Sequence, residues 1–501
     1  MLINGYFPCD DVATMTSLAA QWQRQDGAGT LCFIVSEAFS KAHPCPEGCC
    51  YMSGHMLWDT PTLQHIAQQA STPYIALALT TQRLLLGQHA LKRMAYCAEG
   101  MEATMTYADY REQQGDEAEN RCTPHPVIDC QAGSIRDDFD FGPLVLIHTT
   151  TLKRWANQPH LHVYRYAAWY DLRLFLSRQA LPHHIREMLY TTQPTDRRTS
   201  GERQFDYVNP RNREVQVEME QAATHHLQQI GALVDTSRYA EPDLAAGSFD
   251  AEASVIIPVF NREKTIADAI RSAATQHTDF KFNIIVVDNH STDDTTDIIR
   301  SLGDELLQHA DAPALLHLIP ERLDLGIGGC WNHALLHPQC GRFAVQLDSD
   351  DLYSSPLTLQ RIVDTFRKEN AAIVIGSYGM YDFQLNPLPP GLIDHREWTP
   401  QNGPNNALRI NGLGAPRAFF TPIARQILFP NTSYGEDYAM ALACSRSYRI
   451  ARIYDELYQC RRWAGNSDAN LSQEKINANN SYKDMLRTIE MHKRQTQNAA
   501  N

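Results

Sequence analysis

The 501-residue sequence predicts an α/β protein made of two tandem domains, each built on a Rossmann-like, mostly parallel sheet. In the second half, short apolar runs alternate with helical stretches at the spacing of strand–helix units. Polar residues follow each apolar run, and the carboxyl ends of parallel strands are where α/β sheets bind ligands. The first half shows the same order of elements 268 positions earlier, which indicates an internal repeat.

Composition and charge narrow the class of protein. Hydrophobic residues make up 43% and charged residues 20% of the chain, as in globular proteins, and the length calls for more than one core. A formal charge of −14 argues against nonspecific nucleic-acid binding. No apolar run approaches the roughly 18 residues of a spanning helix, and the start lacks the features of a secretory signal. We therefore predict a cytoplasmic protein without a transmembrane segment, although peripheral membrane contact stays open.

The 12 cysteines are scattered, which favours reduced thiols in a cytosol over a disulfide framework. Cys45, Cys49 and Cys50 could form a zinc site with His43 or His55. Their spacing matches no standard C-x-x-C pair, so ordinary loop thiols are the preferred interpretation.

The second half begins with an apolar run at residues 253–260, which suits a buried parallel strand. A helix is predicted at 265–275, a second strand at 282–287 and a second helix at 293–302. A third strand is predicted at 343–347. Each strand directs polar residues to the same edge of the sheet.

Three carboxylates, Asp348, Asp350 and Asp351, follow the third strand. Asp-x-Asp in such a turn offers hard oxygen ligands to Mn²⁺ or Mg²⁺, which can clamp the phosphates of a nucleotide. An isolated Asp-x-Asp is more often a simple acidic turn, so the metal interpretation depends on the surrounding motifs.

The first half repeats these elements, with strands predicted at 31–35, 73–79 and 103–107 and a helix at 86–99. Where the later half has Asp348 to Asp351, the earlier half has Thr80-Thr81-Gln82-Arg83. Hydroxyls, an amide and a cation cannot replace carboxylates at a divalent metal. The first domain is therefore predicted to be structural or acceptor-binding.

The repeat continues more loosely towards the end of each half. Trp169-Tyr170-Asp171 is matched with Gly435-Glu436-Asp437, and residues 185–190 are matched with 453–458. Between the halves, a polar stretch at 191–214 precedes a helix at 215–233 and a linker at 237–252.

Four segments follow from this pattern. They are a first α/β domain at 1–190, an interdomain helix and linker at 191–252, a second α/β domain at 253–467 and a C-terminal helix or tail at 468–501. In the tail, a helix is predicted at 476–494. Its cations Lys483, Arg487, Lys493 and Arg494 are predicted to form a solvated face.

Five ordered motifs resemble glycosyltransferase family 2, whose members have the GT-A fold. They are SVIIPVFNRE (254–263), IIVVDNHSTDDT (284–295), RLDLGIGGCWNHAL (322–335), QLDSDD (346–351) and YGEDY (434–438). The resemblance covers about 253–467. The first half resembles the family only through the repeat, as a degenerate GT-A-like domain without the Asp-x-Asp motif.

The resemblance implies a set of donor-binding residues. It assigns the nucleotide to Pro258, Val259, Asn261, Glu263, Asp288, Gly326, Asn332, Asp348 and Ser349. Asp288 would accept a hydrogen bond from the base, although a carboxylate in its turn can also serve the following helix. Asp348 and Asp350 are the implied metal ligands, and Ser349 separates them.

The resemblance also implies the catalytic pair. Asp437 would take the proton of the acceptor hydroxyl, and Glu436 would orient the acceptor. The alternative is an acidic pair that complements the dipole of a helix start.

The segment QCRRW, residues 459–463, matches a pattern of processive polysaccharide synthases. Arg461, Arg462 and Trp463 are therefore predicted to form an acceptor and phosphate loop. Processivity is set aside because the sequence has no membrane helices. Many nonprocessive relatives have a His near position 463, and its absence leaves the protein ligands of the metal open.

The predicted function is an inverting, metal-dependent transfer of a hexosyl or N-acetylhexosaminyl group from a nucleoside diphosphate donor. A UDP-sugar is the predicted donor. The acceptor would be a saccharide or glycolipid, in bacterial surface polysaccharide synthesis. The first alternative is a noncatalytic saccharide-binding scaffold. A nucleotidyltransferase is disfavoured, because PVFNRE is not the glycine-rich, Lys/Arg-bearing loop expected after its first strand.

Overall fold

The computed structural model describes residues 2–53, 58–114, 121–193, 213–396, 398–463, 466 and 471–500. These residues divide into two compact units. The first unit holds 2–193, 213–233 and 471–500, and the second holds 234–463 and 466. The predicted boundaries near 191–212 and 464–470 fall largely on residues outside the described ranges.

The first unit alternates strands and helices along most of its length. Its strands are β1 (Ile3–Pro8), β2 (Ala28–Val35), β3 (Cys49–Ser53), β4 (Tyr74–Ala78), β5 (Leu84–Leu86), β6 (Met105–Gln114), β7 (Arg121–His125), β8 (Leu144–His148) and β9 (His183–Thr192). Its helices are α1 (Val12–Trp22), α2 (Glu37–Ala42), α3 (Thr60–Gln69), α4 (Ala90–Gly100), α5 (Thr149–Ala156), α6 (Ala168–Gln179) and α7 (Arg213–Gln229).

The second unit follows the same pattern. Its strands are β10 (Ala253–Val259), β11 (Phe282–Asp288), β12 (Ala314–Leu318), β13 (Phe343–Gln346), β14 (Leu352–Tyr353), β15 (Ile373–Asp382), β16 (Pro387–Ile393), β17 (Arg417–Phe420) and β18 (Ile450–Arg462). Its helices are α8 (Ile266–Ala274), α9 (Thr295–Leu306), α10 (Ile327–Leu336), α11 (Thr358–Glu369), α12 (Gly403–Asn406), α13 (Thr421–Ile427) and α14 (Glu436–Ser445). The last helix, α15 (Gln473–Ala499), belongs to the first unit.

The two sheets have the same strand order. The first runs β3-β2-β1-β4-β8-β6-β9-β5 with β7 on β6, and the second runs β12-β11-β10-β13-β17-β15-β18-β14 with β16 on β15. In each sheet the first four strands of this order are parallel and the fifth is antiparallel to both of its neighbours. The prediction of tandem α/β domains on Rossmann-like, mostly parallel sheets is confirmed, with antiparallel strands added in each sheet.

The repeat extends to single residues. Tyr110 pairs with Tyr190 across β6 and β9, and the residues 268 positions later, Tyr378 and Tyr458, pair across β15 and β18. Arg93 forms an ion pair with Glu187 in the first unit. Arg361 and Asp455, again 268 positions later, form the matching ion pair in the second.

One predicted match is wrong by two residues. Helix α6 begins at Ala168 and α14 begins at Glu436, so Ala168 and Trp169 occupy the positions of Glu436 and Asp437. Tyr170 of α6 donates its hydroxyl to the backbone carbonyl of Ile135. Tyr438, its counterpart in α14, donates to the backbone carbonyl of Ala407. The predicted match had placed Asp171 on Asp437. Because Ala168 and Trp169 stand at the positions of the acidic pair instead, the first unit lacks this pair as well as the Asp-x-Asp motif.

Apolar packing fixes the strand that carries the carboxylates. Helix α11 buries Leu359, Ile362 and Phe366 on one face, at the spacing of an amphipathic helix. The ring of Phe366 stacks on Phe343 of β13 with centroids 4.4 Å apart. This contact anchors the start of β13, so the loop after it leaves from a fixed position.

Helix α15 does not present a solvated cationic face, contrary to the prediction. Lys483, Arg487 and Arg494 are buried, and Lys493 is exposed. Carboxylates on the same helix form ion pairs with two of these cations. Arg487 pairs with Asp484, and Arg494 pairs with Glu490, one turn earlier. The pattern of cations on a polar helix had not revealed these pairs.

Two features are absent from the described residues. None of their helices combines the length and hydrophobicity that crossing a bilayer requires. No three His, Cys, Asp or Glu side chains among them are grouped to hold a metal ion. Cys49 and Cys50 lie in β3, while His55, part of the zinc alternative, falls outside the described ranges.

Candidate functional site

The loop after β13 is held by side chains of its neighbours. The Gln346 amide donates to both carboxylate oxygens of Asp348, at 2.9 and 3.0 Å. The backbone N–H of Asp348 donates to the hydroxyl of Tyr458 at 2.9 Å. The Gln346 oxygen accepts from the backbone N–H of Arg417 at 3.1 Å. The first carboxylate of the motif is therefore fixed from two strands.

Negative charge accumulates at this loop. Burial raises the pKa of Asp348, and the charge of Asp350 raises it further, against the opposing effects of Arg417 and Gln346. Burial, with the charges of Asp348 and Asp350, raises the pKa of Asp351 well above its usual value. Such crowded carboxylates favour a bound cation over three free anions.

The hydrogen-bond donors of Asp350 are confined to one of its carboxylate oxygens. Its Oδ2 accepts from the Trp463 indole N–H at 3.2 Å and from the Asn466 amide at 3.3 Å. Arg262 Nε lies 3.9 Å from the same oxygen. No described residue donates to Oδ1, which leaves an oxygen for an added ligand.

The acidic pair lies at the start of α14. Gly435 precedes it with φ of 75°, a left-handed conformation that suits glycine. Asp437 is 27% exposed and its Oδ2 lies 2.8 Å from Arg417 Nη1. Glu436 is buried and its Oε2 has no hydrogen-bond partner in the described structure. Burial, reinforced by the charge of Asp437, raises the pKa of Glu436 to about 8.

Arg417 joins the acidic pair to the Asp-x-Asp loop. Burial alone would lower its pKa, but the charges of Asp437, Asp348 and Glu436 raise it above the ordinary value. Its guanidinium contacts Asp437, while its backbone N–H donates to Gln346, the residue that holds Asp348. The second unit thus combines an acidic loop, a partly exposed carboxylate and a buried glutamate with a raised pKa.

A comparison with known protein families finds a match within the second unit. Residues 254–426 match the family described as Glycosyl transferase family 2. The second unit belongs to glycosyltransferase family 2. The match begins in β10 and includes the whole Asp-x-Asp loop.

Two relatives and one solved structure are similar over part of the chain. YfnE of Bacillus subtilis, an uncharacterized glycosyltransferase, is 30% identical over 122 residues, 24% of this chain and 29% of that protein. The GalNAc(5)-diNAcBac-PP-undecaprenol beta-1,3-glucosyltransferase of Campylobacter jejuni is 34% identical over 99 residues, 20% of this chain and 29% of that protein. The match therefore spans under a third of either relative. TarS 1-349 of S. aureus, solved with UDP-GlcNAc, has 23% identity and a TM-score of 0.36 over 48% of this chain and 72% of that chain.

In the glycosyltransferase domain, two residues predicted to bind the sugar donor, Asn261 and Glu263, form hydrogen bonds with the loop that follows β11. Asn261, with φ of 51°, donates its backbone N–H to Ser291 and accepts from the N–H of Thr292 at 2.8 Å. The N–H of Glu263 donates to Asp293 at 3.2 Å. The remaining members of the predicted set here, Pro258 and Val259, lie at the end of β10. These residues shape the edge of the sheet at which a donor would bind.

Asp288 is fully buried. Its Oδ1 accepts from the backbone N–H of Ser291 at 3.0 Å, and its Oδ2 accepts from Thr296 at 2.6 Å and lies 3.2 Å from His317. Burial would raise its pKa, but these partners lower it below the usual value. In this structure the carboxylate supports the loop and helix that follow β11, and its contact with a base stays a prediction.

The glycine-rich segment packs against protein. A Cβ on Gly328 would lie 2.0 Å from the carbonyl oxygen of Pro430, and one on Gly326 would lie 2.6 Å from the carbonyl carbon of Thr432. The amide of Asn332 donates to the carbonyl of Phe429 and accepts from its N–H, both at 2.8 Å. The segment therefore fixes residues 429–432, just ahead of the acidic pair. Its predicted contact with nucleotide is untested.

The predicted acceptor and phosphate loop meets the Asp-x-Asp loop from β18. The backbone N–H of Arg461 donates to Asp351 at 2.8 Å, and its Nε donates to the carbonyl of Asp350 at 2.5 Å. Trp463 contacts the Asp350 carboxylate, and Arg462 ends the strand with partial exposure. Ser349 is buried within the loop that these residues brace.

Sequence reasoning missed the residues that assemble the site. Gln346, Arg417 and Tyr458 make its internal contacts, yet only Gln346 lies within one of the five motifs. Arg417 lies in RINGLGAPRAFF (409–420), outside the five motifs. No fixed spacing in the sequence connects it to Asp437 or Asp348, because β17 and β13 meet only in the folded sheet.

Proposed function

We propose that the second unit transfers a sugar, with inversion, from a nucleoside diphosphate donor to a saccharide or glycolipid acceptor. The proposed donor is a UDP-sugar carrying a hexosyl or N-acetylhexosaminyl group. The observation that supports the proposal most is the position of Arg417 in a family 2 domain: its guanidinium contacts the partly exposed Asp437, and its backbone N–H donates to Gln346, which holds Asp348.

The carboxylates of the loop fit a divalent cation. Asp348 and Asp350 would hold Mn²⁺ or Mg²⁺, because these are hard ions that bind carboxylate oxygens. The accumulated negative charge and the unshared Asp350 Oδ1 support this choice. When bound, the metal would supply positive charge to the departing diphosphate. The remaining ligands would come from the diphosphate and water.

Asp437 is the proposed general base. In the transfer, the acceptor oxygen forms a bond to the anomeric carbon while the bond from that carbon to the diphosphate oxygen breaks. The electron pair leaves with the diphosphate, and the acceptor proton passes to Asp437. Arg417 holds one oxygen of this carboxylate at 2.8 Å, which restricts its orientation.

Glu436 is proposed to act in its neutral form. With its pKa raised to about 8, it is protonated at neutral pH and can donate a hydrogen bond. An anionic Glu436 beside Asp437 would be costly because its Oε2 is buried without a partner. The pair thus divides into one carboxylate that accepts a proton and one carboxyl group that orients an acceptor.

The acceptor class is supported by one relative. The Campylobacter jejuni protein is named for a transfer to an undecaprenol-diphosphate-linked glycan, which is a glycolipid. We extend this to a glycolipid or saccharide acceptor in bacterial surface polysaccharide synthesis. The cytoplasmic location predicted from cysteine usage stays a prediction.

The first unit is proposed to bind acceptor or to act structurally. Thr80 and Gln82 stand where the second unit has Asp348 and Asp350, and Ala168 and Trp169 stand where it has the acidic pair. No residue type in these four positions can supply a metal ligand set or a carboxylate base. The unit therefore has the fold without the proposed chemistry.

The decisive experiment is a transfer assay on the full chain with a panel of nucleotide sugars and Mn²⁺. Asp350→Ala and Asp437→Asn should each lower turnover by about 10²-fold or more, since each removes a group used in the reaction. Asp297→Asn, on exposed α9, is the matched control and should leave turnover unchanged. Normal turnover in Asp350→Ala or Asp437→Asn would refute the assigned roles.

Thermal denaturation distinguishes the proposed glycosyltransferase from a noncatalytic saccharide-binding scaffold. UDP with Mn²⁺ should raise the melting temperature of the wild type, and Asp350→Ala should remove the metal-dependent part of the rise. A noncatalytic saccharide scaffold would show no such metal dependence.

A further inference from the structure

Two cysteines of the first unit stand side by side in its sheet. Cys32 of β2 and Cys50 of β3 are register partners on adjacent parallel strands, so their side chains project from the same face. On its other side, Cys32 is the register partner of Tyr6 in β1. Both cysteines are free thiols in this structure.

The pKa shifts along this row of side chains agree with the strand register. Burial raises the pKa of Cys32, and the neighbouring Cys50 thiol raises it further. Burial, followed by the negative charges that Cys32 and Cys50 carry as thiolates, raises the pKa of Tyr6 to about 12. The three side chains are therefore neighbours on one face of the sheet.

The two thiols differ in their access to solvent. Cys32 is 7% exposed, whereas Cys50 is half-buried and lies on β3, the strand at the edge of the sheet. A small solute therefore reaches Cys50 more readily than Cys32. Because an edge strand is paired on one side only, β3 can move towards β2 at a lower cost than a central strand.

Strand geometry sets the distance that a bond between the two sulfurs must span. Adjacent strands are about 4.8 Å apart, within the roughly 4.4–6.8 Å that separates the Cα atoms of a disulfide. Side chains of parallel register partners project in the same direction, so their Cβ atoms stay about as far apart as the strands. This separation exceeds the roughly 3.5–4.5 Å of a relaxed disulfide. A disulfide here is therefore strained, and strained disulfides are readily reduced.

We propose that Cys32 and Cys50 are an oxidation site at which hydrogen peroxide forms a reversible disulfide between β2 and β3. The Cys50 sulfur attacks one peroxide oxygen, the O–O bond breaks, and the leaving oxygen departs as water with the thiol proton, which gives a sulfenic acid. The Cys32 sulfur then attacks the Cys50 sulfur, the S–O bond breaks, and the hydroxyl departs as a second water with the Cys32 proton. The two thiols lose two electrons, and one peroxide becomes two waters.

The site does not depend on the proposed sugar transfer, because it lies in the unit that lacks the acidic residues. Disulfides in cytosolic proteins are usually transient and catalytic or redox-sensing. A strained bond at the edge of the first sheet agrees with the location predicted for this protein.

Peptide mapping of the full chain tests the site. The protein is treated with hydrogen peroxide, the remaining thiols are alkylated in denaturant, and the digest is analysed by mass spectrometry. The expected product joins the peptides of Cys32 and Cys50. Reduced glutathione, added after the peroxide is removed, should restore both thiols. The exposed Cys122 is the internal measure that the oxidant has acted.

Variants of a third thiol define the pair. Cys45 lies in the loop before β3 and is a near neighbour of Cys50, so Cys45→Ser is the matched control and should form the same bond as the wild type. When Cys45→Ser is combined with Cys32→Ser, the Cys50 sulfenic acid has no partner and should proceed to sulfinic acid, which glutathione does not reverse. Three results would overturn the proposal. They are the absence of the Cys32–Cys50 product once Cys122 is oxidised, pairing of Cys50 with Cys45 instead, and a bond that glutathione leaves intact.

Discussion

Arg417 Nη1 lies 2.8 Å from Asp437 Oδ2, and the same guanidinium is close enough to Asp348 to offset part of its buried charge. One cation therefore serves the proposed base and the proposed metal loop. It orients the carboxylate of Asp437, and its positive charge offsets the repulsion between this carboxylate and Asp348. Arg417 is thus the residue whose removal should disturb both parts of the site at once.

Arg417→Gln should lower the turnover number by about 10- to 100-fold, less than loss of the base itself. The neutral amide can keep a hydrogen bond to Asp437 but cannot offset its charge. Steady-state kinetics with Mn²⁺ should show the loss in kcat together with a changed Mn²⁺ requirement, because Asp348 loses a nearby cation.

Arg449→Gln is the control for this substitution, since Arg449 forms an exposed ion pair with Glu369. It should leave both kinetic quantities unchanged. The double variant Arg417→Gln, Asp437→Asn should be little worse than Asp437→Asn alone if the two residues act together. Fully additive losses would show that Arg417 does not act through Asp437.

Glu436 should impose an alkaline limit on activity. Because its pKa is raised to about 8, it is neutral at lower pH and becomes anionic as the pH rises through that value. We expect kcat/KM to fall above about pH 8, as the hydrogen-bond donor is lost. Glu436→Gln, which cannot ionise, should lose this alkaline limb. A limb of the same midpoint in Glu436→Gln would assign it to another group.

The same carboxyl group should affect stability with a defined sign. A folded-state pKa raised from 4.5 to about 8 stabilises the protein fully below pH 4.5, and the contribution is lost as the pH rises through 8. The melting temperature of the wild type should therefore fall more than that of Glu436→Gln between neutral pH and pH 9. Parallel melting profiles for the two proteins would contradict the assignment.

The fold was largely predictable because individual strands and helices follow local patterns and the chain contains an internal repeat against which they can be compared. The apolar runs at 253–260 and 282–287 became β10 and β11, since buried parallel strands need continuous apolar residues. The duplicated register of Tyr110 and Tyr378 was visible as one spacing in the sequence. The later match, at Asp171, failed because helix starts carry weaker patterns than buried strands.

The site was predictable only where a motif is contiguous. Asp348 to Asp351 and Glu436-Asp437 each form one short motif, whereas Arg417 joins them from a separate strand. The glycines at 326 and 328 carried a real signal of close backbone approach, yet the approaching chain is residues 430–432. A sequence shows that space is needed without showing what fills it.

Gly328→Ala should be strongly unfavourable for this reason. A Cβ there would lie 2.0 Å from the Pro430 oxygen and 3.0 Å from Cβ of Glu436, so the segment before α14 must move. We expect a loss of about 1–3 kcal/mol in the free energy of unfolding, together with reduced transfer. Urea denaturation and the transfer assay measure the two effects.

Gly100→Ala is the matched control, because an added Cβ at Gly100 meets nothing within 4 Å. It should not lower stability and should leave transfer intact. If Gly328→Ala kept wild-type stability and activity, close packing of α10 on residues 430–432 would not be what positions the acidic pair.

Asp484 on α15 gives the last prediction, which concerns the first unit. Its side chain is fully buried, lies 2.8 Å from Arg487 Nη1 and 3.3 Å from Arg136 Nε, and accepts from the Ser134 hydroxyl at 3.0 Å. Asp484→Ala would leave two buried guanidinium groups without this carboxylate, a change that costs about 3–5 kcal/mol. The melting transition of the first unit should fall accordingly, whereas Glu474→Ala, on the exposed first turn of the same helix, should cost at most about 1 kcal/mol. Equal effects of the two substitutions would show that the buried ion pairs do not hold α15 in place, and the cations of this helix would then be as dispensable as their sequence pattern suggested.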